Sequence, residues 1–158
     1  MAKFPTDVTE STVVPVSLAD AYAFFWDVAG SARCIPGLAR CEALGGDVYR
    51  FVYEERSTGP VSMSVQYTAR YTGNGTDDIR FEGTNAPGDN TDVSGAIRLE
   101  RRGERETNVV LTQTFAPDTP VPRLLQGLIK SFVQGEASKA ARDYLANVTR
   151  TIRDRARA

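Results

Sequence analysis

An alternation of period two that runs for nearly eighty residues, followed by about thirty residues of helical period, constrains this chain more than anything else in it. From Ala39 onward, Tyr49, Phe51 and Tyr53 alternate with polar residues, and Val61, Met63, Val65, Tyr67, Ala69 and Tyr71 do the same. The pattern continues through Ile79 and Phe81, then Val93, Gly95, Ile97 and Leu99, then Val109, Leu111, Gln113 and Phe115. Each run has one apolar and one polar face, the signature of an antiparallel sheet wetted on one side. Gly45-Gly46-Asp47, Thr58-Gly59-Pro60, Gly73-Asn74-Gly75, Pro87-Gly88-Asp89-Asn90 and Gly103-Glu104 separate the runs with turn chemistry. A meander of about six strands follows.

Ahead of the meander, residues 1–8 read as a loose lead-in and Ser11 to Val16 as a short strand that ends at Pro15. Ser17 followed by Asp20 is a capping-box-like start for a helix from Leu18 to about Val28, stopped by Gly30, with a single broken turn over 31–38. Beyond Pro117, Pro120 and Pro122 the helical region carries two apolar stripes. Val121, Leu125, Leu128 and Phe132 form one, and Ala137, Ala141, Tyr144, Val148 and Ile152 the other, rotated by roughly 150° on ideal geometry. Either the helix kinks near Gly127 and Gly135, or its halves face different surroundings. The expected architecture is therefore α+β, a curved antiparallel sheet of about seven strands gripping one long C-terminal helix, in one domain spanning 1–158. Such a sheet leaves a space under the helix, and enclosed apolar spaces with a few polar groups are where small ligands bind.

Composition removes whole classes of chemistry. The chain has no histidine, which excludes Ser-His-Asp and Cys-His nucleophile systems and His-containing metal sites. Two cysteines, Cys34 and Cys41, do not make a four-thiolate site or a disulfide framework, and they read as small packing residues. No metal or cofactor is implied, and no catalytic constellation is identified. With 19 basic against 20 acidic side chains there is no global pull toward nucleic acid. No glycine cluster matches a phosphate-binding loop. No stretch of eighteen apolar residues and no apolar leader are present, so a cytoplasmic, soluble protein is expected. After Thr119, eight basic and three acidic residues give a net +5, read as a solvated face or as a weak contact with a membrane surface or an acidic partner.

The stretch Val14-Pro-Val-Ser17-Leu-Ala-Asp20-Ala-Tyr22-Ala-Phe24-Phe25-Trp26-Asp27, with Arg33-Cys34-Ile35-Pro36-Gly37 after it, resembles the start of the START-like, or polyketide cyclase (SRPBCC), superfamily. That superfamily has the helix-grip fold, which agrees with the order of elements read from periodicity. Within it, the Cys34-to-Gly37 stretch is most similar to the carbon monoxide dehydrogenase G group. That narrower resemblance implies a quinone-like lipid as ligand and a redox enzyme, a molybdenum hydroxylase or its membrane acceptor, as partner. The broader one implies a hydrophobic small molecule in a cavity between sheet and helix, or, alternatively, a polyketide aromatase/cyclase acting in the same cavity.

The residues expected to line that cavity are Tyr53, Met63, Tyr67, Phe81, Gln113, Leu128 and Phe132. Tyrosines on an apolar face bring hydroxyls that need partners, and Gln113 is an amide among Val109, Leu111 and Phe115. Burying an unpaired amide costs on the order of 1–3 kcal/mol, so Gln113 is expected to have a partner in protein, water or ligand. Met63, Phe81, Leu128 and Phe132 suit a flat hydrophobic ligand or plain core filling. Tyr49 and Tyr71 share the tyrosine pattern, Glu55 is a candidate acid at the mouth, and Trp26 is placed either at the entrance or in helix packing.

Overall fold

Ser17 sets the first helix in the way its spacing predicts. In the computed structural model its hydroxyl accepts the Asp20 N–H (3.2 Å), opening helix α1 over Leu18–Trp26. Asp27 then starts a second, four-residue helix α2 (Val28–Ser31) by accepting from the Gly30 N–H at 3.2 Å. Gly30 is therefore part of the cap. A Cβ there would stand 2.1 Å from Asp27 Oδ2, so any other residue would break the cap instead of merely ending the helix. A 3-10 turn (Ala32–Cys34) and the left-handed Gly37 (φ 76°) bring the chain to the sheet. The structure describes residues 2–3, 5–58, 61–119, 121 and 123–157, with side chains at 2, 3, 58, 61, 63, 119, 156 and 157 outside the description.

The strands are β1 (Ala2–Lys3), β2 (Thr6–Val14), β3 (Leu38–Gly45), β4 (Val48–Tyr53), β5 (Arg56–Thr58), β6 (Val61–Met63), β7 (Gln66–Gly73), β8 (Asp78–Gly83), β9 (Thr91–Gly103) and β10 (Glu106–Thr119). The sheet runs β10-β9-β8-β7-β4-β3, all antiparallel, with both β1 and β2 on the free side of β10. Ala2 pairs with Thr119 and Thr6 with Phe115 in one shared register, so β1 and β2 are one interrupted strand and the curved sheet has seven positions. Strands β5 and β6 form a separate hairpin. Helix α3 (Gln126–Arg157) follows and packs along β2 and the 3-10 turn. This is the expected helix-grip architecture.

Three sequence expectations change. Residues 1–8 are not a loose lead-in: Thr6 and Val8 are buried, and the Thr6 hydroxyl donates to the Phe115 carbonyl at 3.0 Å. The single strand expected over Val61–Tyr71 is broken at 64–65. The 87–90 turn folds back there, with the Gln66 N–H donating to Asn90 Oδ1 (2.9 Å) and Asn90 Nδ2 to the Ser64 carbonyl (2.7 Å). The same turn covers Thr68, whose hydroxyl donates to Asp89, so a residue assigned to the wet face is 1% exposed.

The long helix is one continuous element, and its two halves bury side chains in two different clusters. Ala141, Leu145, Val148 and Ile152 bury against the main core and set the phase. Carried back at 100° per residue, that phase leaves Ile129 and Leu128 about equally far from it on opposite sides, so it does not choose between them. The local contacts decide it: Ile129 and Val133 are buried in a small separate cluster with Val121 and Leu125, while Leu128 is 67% exposed.

Candidate functional site

Pairing places one residue from each of five adjacent strands in a row across the sheet: Tyr71 (β7), Phe81 (β8), Gly95 (β9), Gln113 (β10) and Val8 (β2). This row floors a cavity of about 210 Å³ between sheet and helix. That is larger than the ~150 Å³ apolar cavity that admits benzene in an engineered protein. Gly95 carries no side chain because Phe81 lies over it; a Cβ there would meet Phe81 Cζ at 2.5 Å and the Thr112 carbonyl oxygen at 2.3 Å. Helix α3 forms the roof with Phe132, Val133, Ala137, Ala140, Ala141 and Tyr144. Three alanines within five residues leave the roof shallow, so space remains for something else.

The Ile35-Pro36-Gly37 turn closes one end. Its position is tied twice, by the Glu54 N–H donating to the Gly37 carbonyl (2.9 Å) and by Asn147 Nδ2 donating to the Cys34 carbonyl (2.9 Å). At the mouth, Arg56 from the β5–β6 hairpin reaches Glu136 on α3 at 2.6 Å, and both side chains border the cavity. The pair is solvent-exposed, so it contributes little to stability. Its consequence is geometric: it holds the hairpin to the helix over the opening.

The walls are aromatic and carry a few polar groups. Tyr67 stacks on Phe51 (centroids 4.9 Å apart) and Tyr71 on Phe81 (5.4 Å). The Tyr53 and Tyr67 hydroxyls bond to each other at 3.1 Å. Among the described residues, neither the Tyr71 hydroxyl nor the Gln113 amide has a hydrogen-bond partner, and both border the cavity. Burial pushes the phenol of Tyr53 up from 10.0 to about 12, with the bond from Tyr67 opposing part of the rise. Burial likewise holds Tyr67 and Tyr71 well above the ordinary phenol range and raises Tyr144. At neutral pH these tyrosines are protonated donors and do not act as bases. Cys41 is pushed up to about 11, chiefly by burial and then by Glu42, which keeps it from being a nucleophile.

These raised phenols have a measurable consequence. The folded state holds protons that the unfolded chain releases near pH 10, so stability is full below that pH and falls as pH rises from about 10 to about 12. A thermal-melt series should be level through neutral pH and drop in that window, with tyrosinate absorbance rising together with unfolding. Full tyrosinate absorbance at pH 11 in a protein that still melts as at pH 8 would contradict this account.

Of the residues expected to line the cavity, Tyr53, Tyr67, Phe81, Gln113 and Phe132 do border it. Leu128 does not: it faces solvent, because Ile129 and Val133 are the residues of this segment that pack inward with Val121 and Leu125. Met63 lies in β6, and its side chain is outside the described residues. Glu55 is exposed; because β4 ends at Tyr53 the alternation lapses, and Glu54 borders the cavity in its place. Trp26 packs over Gly73 at the end of β7, stacked on Tyr22, and not at the entrance. Sequence reasoning missed Val8, Arg56, Glu136 and the alanine roof. Only the alanines left a signal, a run of small residues on one helical arc. Among the described residues no cluster of acids and cysteines is arranged to hold a metal ion, and no helix is long and apolar enough to cross a membrane.

Residues 5–150 match the family model for polyketide cyclase / dehydrase and lipid transport. The chain belongs to that family. The match to the polyketide cyclase and lipid transport family takes in nearly the whole chain, from the first long strand to the last turns of α3. A search of curated proteins finds no match. Among solved structures, the Zhui aromatase/cyclase from Streptomyces sp. R1128 is similar over 98% of this chain and 97% of its own, with 16% identity and a TM-score of 0.74. A START superfamily protein from Mycobacterium smegmatis is similar over 92% and 98%, at 13% identity and TM-score 0.68. DR_A0006 from Deinococcus radiodurans matches over 92% and 95%, at 22% identity and TM-score 0.63. At these identities the likeness is one of fold, the START-like helix-grip.

Proposed function

We propose that this protein binds and carries an uncharged hydrophobic small molecule in the cavity between the sheet and α3. The observation that carries the reading is the pairing of an apolar, aromatic enclosure with two unpartnered hydrogen-bonding groups on its floor, Tyr71 and Gln113. Affinity comes from apolar area removed from water, at roughly 25 cal/mol per Å². Orientation comes from the Tyr71 hydroxyl, the Gln113 amide and the Tyr53–Tyr67 pair, which suit carbonyl or hydroxyl oxygens. Among the described residues the cavity's charged groups are Glu54, Glu136 and Arg56, and Arg56 is engaged by Glu136, which favours an uncharged ligand over an anionic one. Family membership supports a hydrophobic ligand. The likeness of Cys34-to-Gly37 to the carbon monoxide dehydrogenase G group supports a quinone-like one, with a redox enzyme as partner.

Native mass spectrometry with organic extraction tests the reading, alongside titration with 1-naphthol. A co-purifying neutral amphiphile, or saturable uptake of 1-naphthol that quenches the fluorescence of the cavity tyrosines, is expected. A protein that is empty and takes up nothing overturns it. Gln113→Leu separates fold from function. It removes an amide without a protein partner, so the ligand-free protein gains about 1 kcal/mol, while affinity for an oxygen-bearing ligand falls about tenfold.

A second reading, cyclisation of a polyketide chain, is favoured by the Tyr53–Tyr67 hydroxyl pair, which can donate to a carbonyl oxygen and acidify the adjacent C–H. Its base would be Glu54 or Glu136, the carboxylates on the cavity wall. Cyclised product from a poly-β-keto thioester, abolished by changing both acids to glutamine, would move the assignment from carriage to catalysis.

A further inference from the structure

Two exposed leucines stand at the entry to the long helix, Leu124 in a 3-10 turn (Arg123–Leu125) just before it and Leu128 in its first turn. Leu124 is 97% exposed and Leu128 67% exposed, one turn apart. From Leu128 the i+4 ridge of α3 continues to Phe132, which borders the cavity, and then to Glu136 at the mouth. An apolar track therefore leads from the outer surface of the molecule to the cavity opening. From Thr119 to Gly135 the chain carries Arg123 and Lys130, both exposed, and no acidic residue, in a protein whose overall charge is −1. The solvent-facing arc of this segment otherwise holds Gly127, Ser131, Gln134, which donates to the Asp7 carbonyl at 3.3 Å, and Gly135, and a Cβ at either glycine would meet nothing within 4 Å.

We propose that this end of α3 docks on an anionic lipid bilayer, with Leu124 and Leu128 entering the acyl boundary and Arg123 and Lys130 at the headgroups. The inference rests on the carrier reading in one respect: docking here sets the cavity mouth against the membrane from which a hydrophobic ligand is loaded. The charge pattern favours lipid over a second copy of the chain, because a helix pairing with itself through this segment brings Arg123 and Lys130 together with no carboxylate of the segment to meet them, the neighbouring Asp7 being engaged by Thr114.

The test is flotation of the full chain with phosphatidylcholine vesicles, with and without phosphatidylserine. Binding is expected with phosphatidylserine, weaker without it, and reduced by salt. Leu124→Gln with Leu128→Gln should weaken it on the order of tenfold or more, and Arg123→Gln with Lys130→Gln on the order of tenfold. Both pairs are exposed, so melting temperatures and 1-naphthol binding should stay as in the parent protein. Absence of vesicle binding at low salt overturns the proposal, as does binding that ignores both variant pairs. So does a concentration-dependent dimer that the leucine variants dissociate, which would assign the surface to a second copy. Loss of the carrier reading has a different signature: vesicle binding persists while 1-naphthol is not taken up.

Discussion

Gly95→Val should be the most damaging single substitution on the cavity side of the sheet, lowering the melting temperature by about 10 °C. The added Cβ alone would stand 2.3 Å from the Thr112 carbonyl oxygen and 2.5 Å from Phe81 Cζ. Phe81 can turn away, but the carbonyl belongs to the β9–β10 ladder and moves only if the strands part. The cost sits at or above the upper end of the ~1–3 kcal/mol typical of overpacking. Gly95→Ala already meets both contacts and should show most of the loss. Combining it with Phe81→Leu restores part, and the unrestored part measures the backbone contact. Equal melting temperatures for parent and Gly95→Val, by calorimetry, would refute the account of the floor.

The second large effect should fall on binding alone. Ala140→Trp places an indole in the roof, directed at the same 210 Å³ that a ligand would use. Affinity for 1-naphthol is expected to fall on the order of 100-fold or more, since ring and ligand cannot share the space. The melting temperature should hold or rise, because an indole that fills a void gains contacts that the empty protein lacks. Intact fold with unchanged affinity would place the binding site elsewhere. Between them, the two substitutions distinguish a residue that makes the cavity's floor from one that leaves its space open.

The parts of the site that were legible in advance are those that a period-two pattern carries. Tyr53, Tyr67, Phe81 and Gln113 were reachable because strand alternation assigns each to a face and the face is apolar. Val8 was not, since Thr6 to Val14 reads as polar and only its pairing with β10 shows that it completes the sheet. Glu54 and Glu55 exchanged roles because a strand end is not marked in composition. Leu128 failed for a packing reason. The stripe through Leu125, Leu128 and Phe132 was read from spacing alone, and what turns Leu128 outward is the packing of Ile129 and Val133 with Val121 and Leu125, a cluster separate from the core that Ala141 to Ile152 join.

The order of elements, the apolar face of each strand, the cap at Ser17 and the absence of histidine chemistry were determined by local sequence alone. They depend on side-chain period, on neighbours within four residues and on which residue types exist at all. The cavity itself was decided only by tertiary structure: the row Tyr71–Phe81–Gly95–Gln113–Val8, the alanine roof and the Arg56–Glu136 tie across the mouth. Each of these joins residues far apart in the chain, through strand register and helix phase. Register and phase are fixed cooperatively by the packing of the whole core, which no local window contains.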